Sequence, residues 1–154
     1  MDITESFREK KEWLPFRQLA QETDMIMMGH LFHREFDPFW PASLSQVFYR
    51  ILREDMRFDG VILTDDLQMD GAYTGSVGQG QALSTRHLVL QALEAGSDLL
   101  LLANIARYEP RVGAKAVRWI VEAVRKGKLP FKRLKNAYIR VKRLRDKVMR
   151  RVLR

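Results

Sequence analysis

The 154 residues carry 27 Lys/Arg against 19 Asp/Glu, a net charge of +8, with 46% hydrophobic and 30% charged residues and no cysteine. That balance fits one domain over residues 1–154 with a sizeable core, and it excludes a disordered chain, a disulfide-stapled fold and thiolate metal sites. The start, MDITESFREKKEWLPF, has no apolar stretch of signal-peptide length, and no run reaches membrane-span length, so the expectation is a soluble cytoplasmic domain. The charge is uneven: residues 107–154 hold 18 basic against 3 acidic side chains, and residues 1–106 hold 9 against 16.

In chain order, a helix is expected around Leu14–Gln21, followed by Met25–Met28, an apolar run too short for a helix and suited to a strand buried on both faces. Ser43 or Ser45 can cap the next segment, in which Val47, Phe48, Ile51 and Leu52 recur at helical spacing until Asp59-Gly60 turns the chain. Val61–Leu63 reads as a second buried strand, and the glycines of Gly71–Gly80 mark a mobile loop. Ser84 precedes a helix closed by Ala95-Gly96, Leu99–Leu102 is a third strand, Ala114–Lys126 a helix, and a long helix begins at Phe131. Strict alternation predicts an α/β fold of parallel strands with helical crossovers. Residues just after the strands then gather on one face: Gly29-His30, Asp65-Asp66 and Ala103-Asn104.

Paired acids at a strand end admit more than one use. An Asp there commonly accepts backbone N–H groups of the following turn, but adjacent side chains on an extended chain point opposite ways. One acid facing a site and the other facing structural partners is the natural division. A phosphoacceptor site is disfavoured because Asp2 precedes any strand, Asp24 enters one and no Lys directly follows the third; "GSVGQG" likewise lacks the Lys-Ser/Thr of a phosphate loop. Phe36, Phe39 and Trp40 fit either sugar stacking or core anchoring.

"RFDGVILTDDLQM" resembles the signature of glycoside hydrolase family 3, and the neighbouring motifs follow in order: "EWLPFRQL", "DMIMMGH", "PASLS", "ALEAGSDLLLLAN" and "KGKLPFKRLKNAYIRVKRLR". The Asp-Asp-Leu-x-Met form is similar to the β-N-acetylhexosaminidase branch, linked to cell-wall recycling. The resemblance implies the last three βα units of a TIM (β/α)8 barrel plus a long C-terminal helix. It implies a retaining hydrolase acting on terminal β-linked N-acetylglucosaminides, with no cofactor and no metal. Asp65 is then the nucleophile, Asp66 supports the loop, and His30, Met69 and Asn104 bind substrate. The family's acid/base His lies in a Lys-His-Phe-Pro-Gly-His-Gly loop, which these residues lack; His30, His33 and His87 have no such context.

The expectation is therefore a fragment of weak or no activity on its own carbohydrate substrate, completed by an N-terminal half-barrel or by self-association. The basic C-terminal helix allows a second reading as a binding module for an anionic membrane surface, nucleic acid or an acidic partner. Packing through Leu134, Ala137, Tyr138, Val141, Leu144 and Val148 is favoured over it, with no nucleic-acid partner expected.

Overall fold

A computed structural model describes residues 1–5, 11–74 and 83–152. Three parallel strands form one sheet in the order β1 (Met25–Met28), β2 (Val61–Asp66), β3 (Leu99–Leu101). Met25 to Met28 pair in register with Val61 to Thr64. The crossovers are helical: α1 (Leu14–Leu19) precedes β1, α2 (Gln46–Arg50) joins β1 to β2, and α3 (Asp70–Thr74) and α4 (Thr85–Ala95) join β2 to β3. The chain ends in α5 (Val112–Arg125) and α6 (Phe131–Val152).

Local chemistry sets these boundaries. Ser45 caps α2 by accepting the Val47 N–H, and α2 continues into a wider π turn over Ile51–Asp55. Ser84 and His87 form a reciprocal cap on α4. Gly96 ends that helix at φ +138°, where a Cβ would lie 2.8 Å from the Tyr49 side chain. One core lies between α2 and the sheet, with Ile26, Met28, Phe48, Leu52 and Ile62 among its members. A second gathers Leu44, Leu67, Leu88, Val89 and Ala116 between α4 and α5.

Two expectations are corrected. β1 is not buried on both faces: Ile26 and Met28 are buried, but Met27 is 56% exposed because nothing among the described residues covers that side of the sheet. β2 does not stop at Leu63 but runs through Asp66, because as the central strand it has neighbours on both edges to extend its ladder. Of the expected loop Gly71–Gly80, the first residues belong to α3, and 75–80 lie outside the described residues.

The last helix departs most from expectation. α6 runs across the N-terminal ends of all three strands, and each strand is entered through an Asp that bonds to it. Arg133 and Arg140 reach Asp98 at 3.3 and 3.4 Å, Arg140 and Arg143 reach Asp59 at 3.4 and 2.6 Å, and Lys147 pairs with Asp24. Asp98 also accepts Arg53 at 2.5 Å and the Ile62 N–H at 3.1 Å. Burial pulls Arg53 down to about 10, which leaves it charged at neutral pH beside that carboxylate. The expected packing stripe is thus partly wrong: Ala137 is buried, but Tyr138 and Val148 are exposed, because ion pairs rotate the basic side of the helix toward the sheet.

Candidate active site

The end of β2 is irregular in a way that separates its two acids. Leu63 pairs with Leu99 and Asp66 with Leu101, so β2 takes three steps where β3 takes two. The bulge is filled by the Thr64 hydroxyl, which accepts the Leu101 N–H at 3.0 Å, and the Leu101 carbonyl accepts the Leu67 N–H at 3.0 Å. The short side chain of Thr64 thus supplies an oxygen in place of the displaced backbone acceptor.

Asp66 is buried and turned into the protein. Its Oδ1 accepts the N–H groups of Gln68 and Ala103, each at 3.1 Å, which ties the turn after β2 to the end of β3. Its carbonyl accepts the Met69 N–H at 3.0 Å and His30 Nε2–H at 2.8 Å. Asp65 lies on the opposite face, beside Leu63 in the alternation, and is half-buried. Its Oδ1 accepts the Asp66 N–H at 2.7 Å, a bond that fixes one carboxylate oxygen and so the plane of the other.

His30 follows β1 and is buried with both ring nitrogens engaged. A carbonyl can only accept, so Nε2 carries the proton toward Asp66, and Nδ1 accepts from the Ser43 hydroxyl at 2.6 Å when the ring is neutral. Ser43 is held in turn, its carbonyl accepting the Tyr49 hydroxyl at 2.9 Å; burial pushes the Tyr49 phenol up and keeps it a donor.

Asn104 adopts a left-handed backbone (φ +58°) after β3. Its N–H donates to Gln68 Oε1 at 2.8 Å, and its Oδ1 accepts the Glu109 N–H at 2.7 Å. Gln68 is fully buried and also donates to the Arg107 carbonyl at 2.6 Å. Arg107 lies over the Tyr73 ring at 4.1 Å and pairs with Asp70 at 2.8 Å. Met69 is partly exposed next to this network. Asp65, Asp66, His30, Met69 and Asn104 are thus joined through Asp66 and Gln68 at the C-terminal ends of three strands.

Gln68 escaped the sequence reading, and Ser43 was read only as a candidate cap, a role that Ser45 takes; the signal for Gln68 was an amide inside an otherwise apolar turn after two acids. Of the aromatics after β1, Phe36 packs on Trp13 and Phe48, with ring centroids 5.5 and 5.6 Å away, Trp40 joins the second core, and Phe39 is exposed. Among the described residues, no three His, Asp or Glu side chains gather as a metal site.

The model of the glycosyl hydrolase family 3 N-terminal domain matches residues 2–144. The chain belongs to glycosyl hydrolase family 3. Within this family, a β-hexosaminidase of Pseudomonas aeruginosa strain LESB58 is 38% identical over 96 residues, covering 62% of this chain and 26% of that protein. One from Tolumonas auensis is 34% identical over 124 residues, 73% of this chain and 33% of that protein. The family 3 β-N-acetylglucosaminidase of Paenibacillus sp. strain FPU-7 superposes with a TM-score of 0.75 at 27% identity, covering 95% of this chain and 26% of that one. The three-stranded sheet with its helices corresponds to part of the family's α/β barrel. The chain spans about a quarter of the length of the P. aeruginosa relative.

Proposed function

We propose that this chain carries the nucleophile half of a retaining β-N-acetylhexosaminidase site, with Asp65 attacking the anomeric carbon of a terminal β-linked N-acetylglucosaminide in the cytoplasm. The observation that carries this reading is the division of labour at the end of β2. Asp66 is buried, with Oδ1 committed to two backbone N–H groups, while Asp65 is half-buried on the uncovered face with its carboxylate oriented by a backbone N–H. A carboxylate held there is aimed before substrate arrives, which suits covalent catalysis through a glycosyl-enzyme. Asp66 and His30 then position the loop. Met69 and Asn104 lie where the sugar would sit, with Asn104 acting through the shape it gives the turn.

Retaining hydrolysis also needs an acid/base, worth about 10² to 10⁴ in rate. The three histidines serve elsewhere: His30 braces Asp66, His33 is buried edge-on to the Phe36 ring at 4.6 Å, and His87 caps α4. The acid/base and most of the sugar contacts are therefore supplied by further βα units of the barrel, and this chain alone is a weak or inactive catalyst.

The test exploits a leaving group that needs no proton. A 5-fluoro glycosyl fluoride of N-acetylglucosamine should add one fluoroglycosyl unit to the peptide carrying Val61–Gln68, with the label at Asp65, and Asp65→Asn should abolish it. An adduct on Asp66, or equal labelling of the Asn variant, would overturn the assignment.

A further inference from the structure

We propose that the outward face of α6 is a docking surface for an anionic lipid bilayer. The inward face is accounted for by the strand-entry acids Asp24, Asp59 and Asp98. Viewed down the helix, the opposite side presents Phe131, Lys135, Tyr138, Lys142, Arg145 and Met149, which recur at alternating steps of four and three and so form one stripe. All six are exposed, with Phe131 at 67% and Tyr138 at 62%. Asp146 beside the stripe is bonded by Lys142 and Arg145, at 2.6 and 3.2 Å, which leaves the surface cationic.

Cations alone would suit nucleic acid equally well. Aliphatic and aromatic side chains interleaved with them favour lipid: the apolar groups enter the acyl boundary while the Lys and Arg stems reach up to anionic headgroups. A helix of 22 residues, about 33 Å long, lies well along such a surface. None of the described helices is long and apolar enough to cross a membrane, so the association is interfacial. The geometry also suits an enzyme. α6 lies at the N-terminal ends of the strands and Asp65 at the C-terminal end of β2, so a chain resting on α6 turns its acids toward water.

Co-sedimentation with phosphatidylcholine vesicles, with and without phosphatidylglycerol, tests this on the 154-residue chain. Binding is expected only where phosphatidylglycerol is present. Lys135→Gln/Lys142→Gln/Arg145→Gln should weaken it about a hundredfold, taking roughly fivefold per cation. Tyr138→Ser/Met149→Ser should weaken the binding that survives at high salt, and the circular dichroism of both variants should match the parent. No sedimentation, binding that ignores headgroup charge, retention by the triple variant, or preferential capture by duplex DNA would each overturn the proposal.

Discussion

Replacing Asp98 by Ala tests whether α6 is held on the sheet by charge. The Asp98 side chain has no solvent exposure, whereas those of Arg53, Arg133 and Arg140 around it are 19%, 17% and 22% exposed. The substitution leaves the mostly buried charges of Arg53 and Arg133 without a carboxylate, Arg140 keeping Asp59, and orphans the Ile62 N–H, which the carboxylate accepts at 3.1 Å. Breaking one partner out of a buried ionic cluster costs about 3–5 kcal/mol, and an unsatisfied buried donor about 1–3 kcal/mol. These share one network and do not add, so about 4 kcal/mol is the working value. For a domain of this size each kcal/mol moves Tm by roughly 2–4 °C, which predicts a fall of about 8–16 °C.

Thermal unfolding followed by circular dichroism reads this directly, with urea unfolding as a second measure. Asp98→Asn keeps an acceptor for Ile62 but loses the charge, so it should fall between parent and Ala. If Asp98→Ala melts within about 2 °C of the parent, the cluster does not hold α6, and the reasoning from buried ion pairs fails here.

Other consequences are independent of that cluster. Gly113 sits inside α5 with nothing within 4 Å of where a Cβ would be, so Gly113→Ala should stabilise by about 0.5–1 kcal/mol in urea unfolding. Gly96→Ala should destabilise by at least about 1 kcal/mol, because φ is +138° and its Cβ would meet the Tyr49 side chain at 2.8 Å; similar effects at the two sites would contradict the packing described. The hydrogen bond from Arg143, reinforced by its charge and by Arg140, holds the Asp59 carboxyl below its usual range. A depressed acid contributes stability above its unfolded value that is lost as pH falls through the folded one, so hydrogen-exchange protection of α6 should decline below about pH 4. In Asp59→Asn that decline should be smaller, and an unchanged acid response would show that this pair does not contribute.

The order of elements was legible because apolar runs, capping serines and closing glycines are local signals, and Ser45, Ser84 and Gly96 act locally. The exposed face of β1 was not, because Met25-Ile26-Met27-Met28 reads the same whether one side is covered or both. Asp65 was singled out through its neighbours, Thr64 before it and Asp66-Leu67-x-Met69 after it. Alternation along the strand separates it from Asp66; the bulge that ties Asp66 to the end of β3 depends on the register with β3, which Val61–Asp66 alone does not encode. The basic surplus of α6 looked like a surface property because the acids that meet it are distant in sequence, Lys147 lying 123 residues from Asp24. The clue available was positional: an Asp stands at the entrance of every strand, at 24, 59 and 98.

The two ends of the sheet use carboxylates for opposite purposes. At the N-terminal ends, Asp59 and Asp98 face guanidinium groups and Asp24 faces the ammonium of Lys147, and these pairs hold a helix. At the C-terminal end of β2, Asp65 and Asp66 pair with no cation among the described residues and are held by backbone N–H groups, which orient a carboxylate without neutralising it. For the proposed function that difference matters, because a carboxylate locked to an arginine is a poor nucleophile, whereas one oriented by a backbone amide is left without a competing cation. Of the two acids, Asp66 is spent inside the protein and only Asp65 lies on the open face of the sheet.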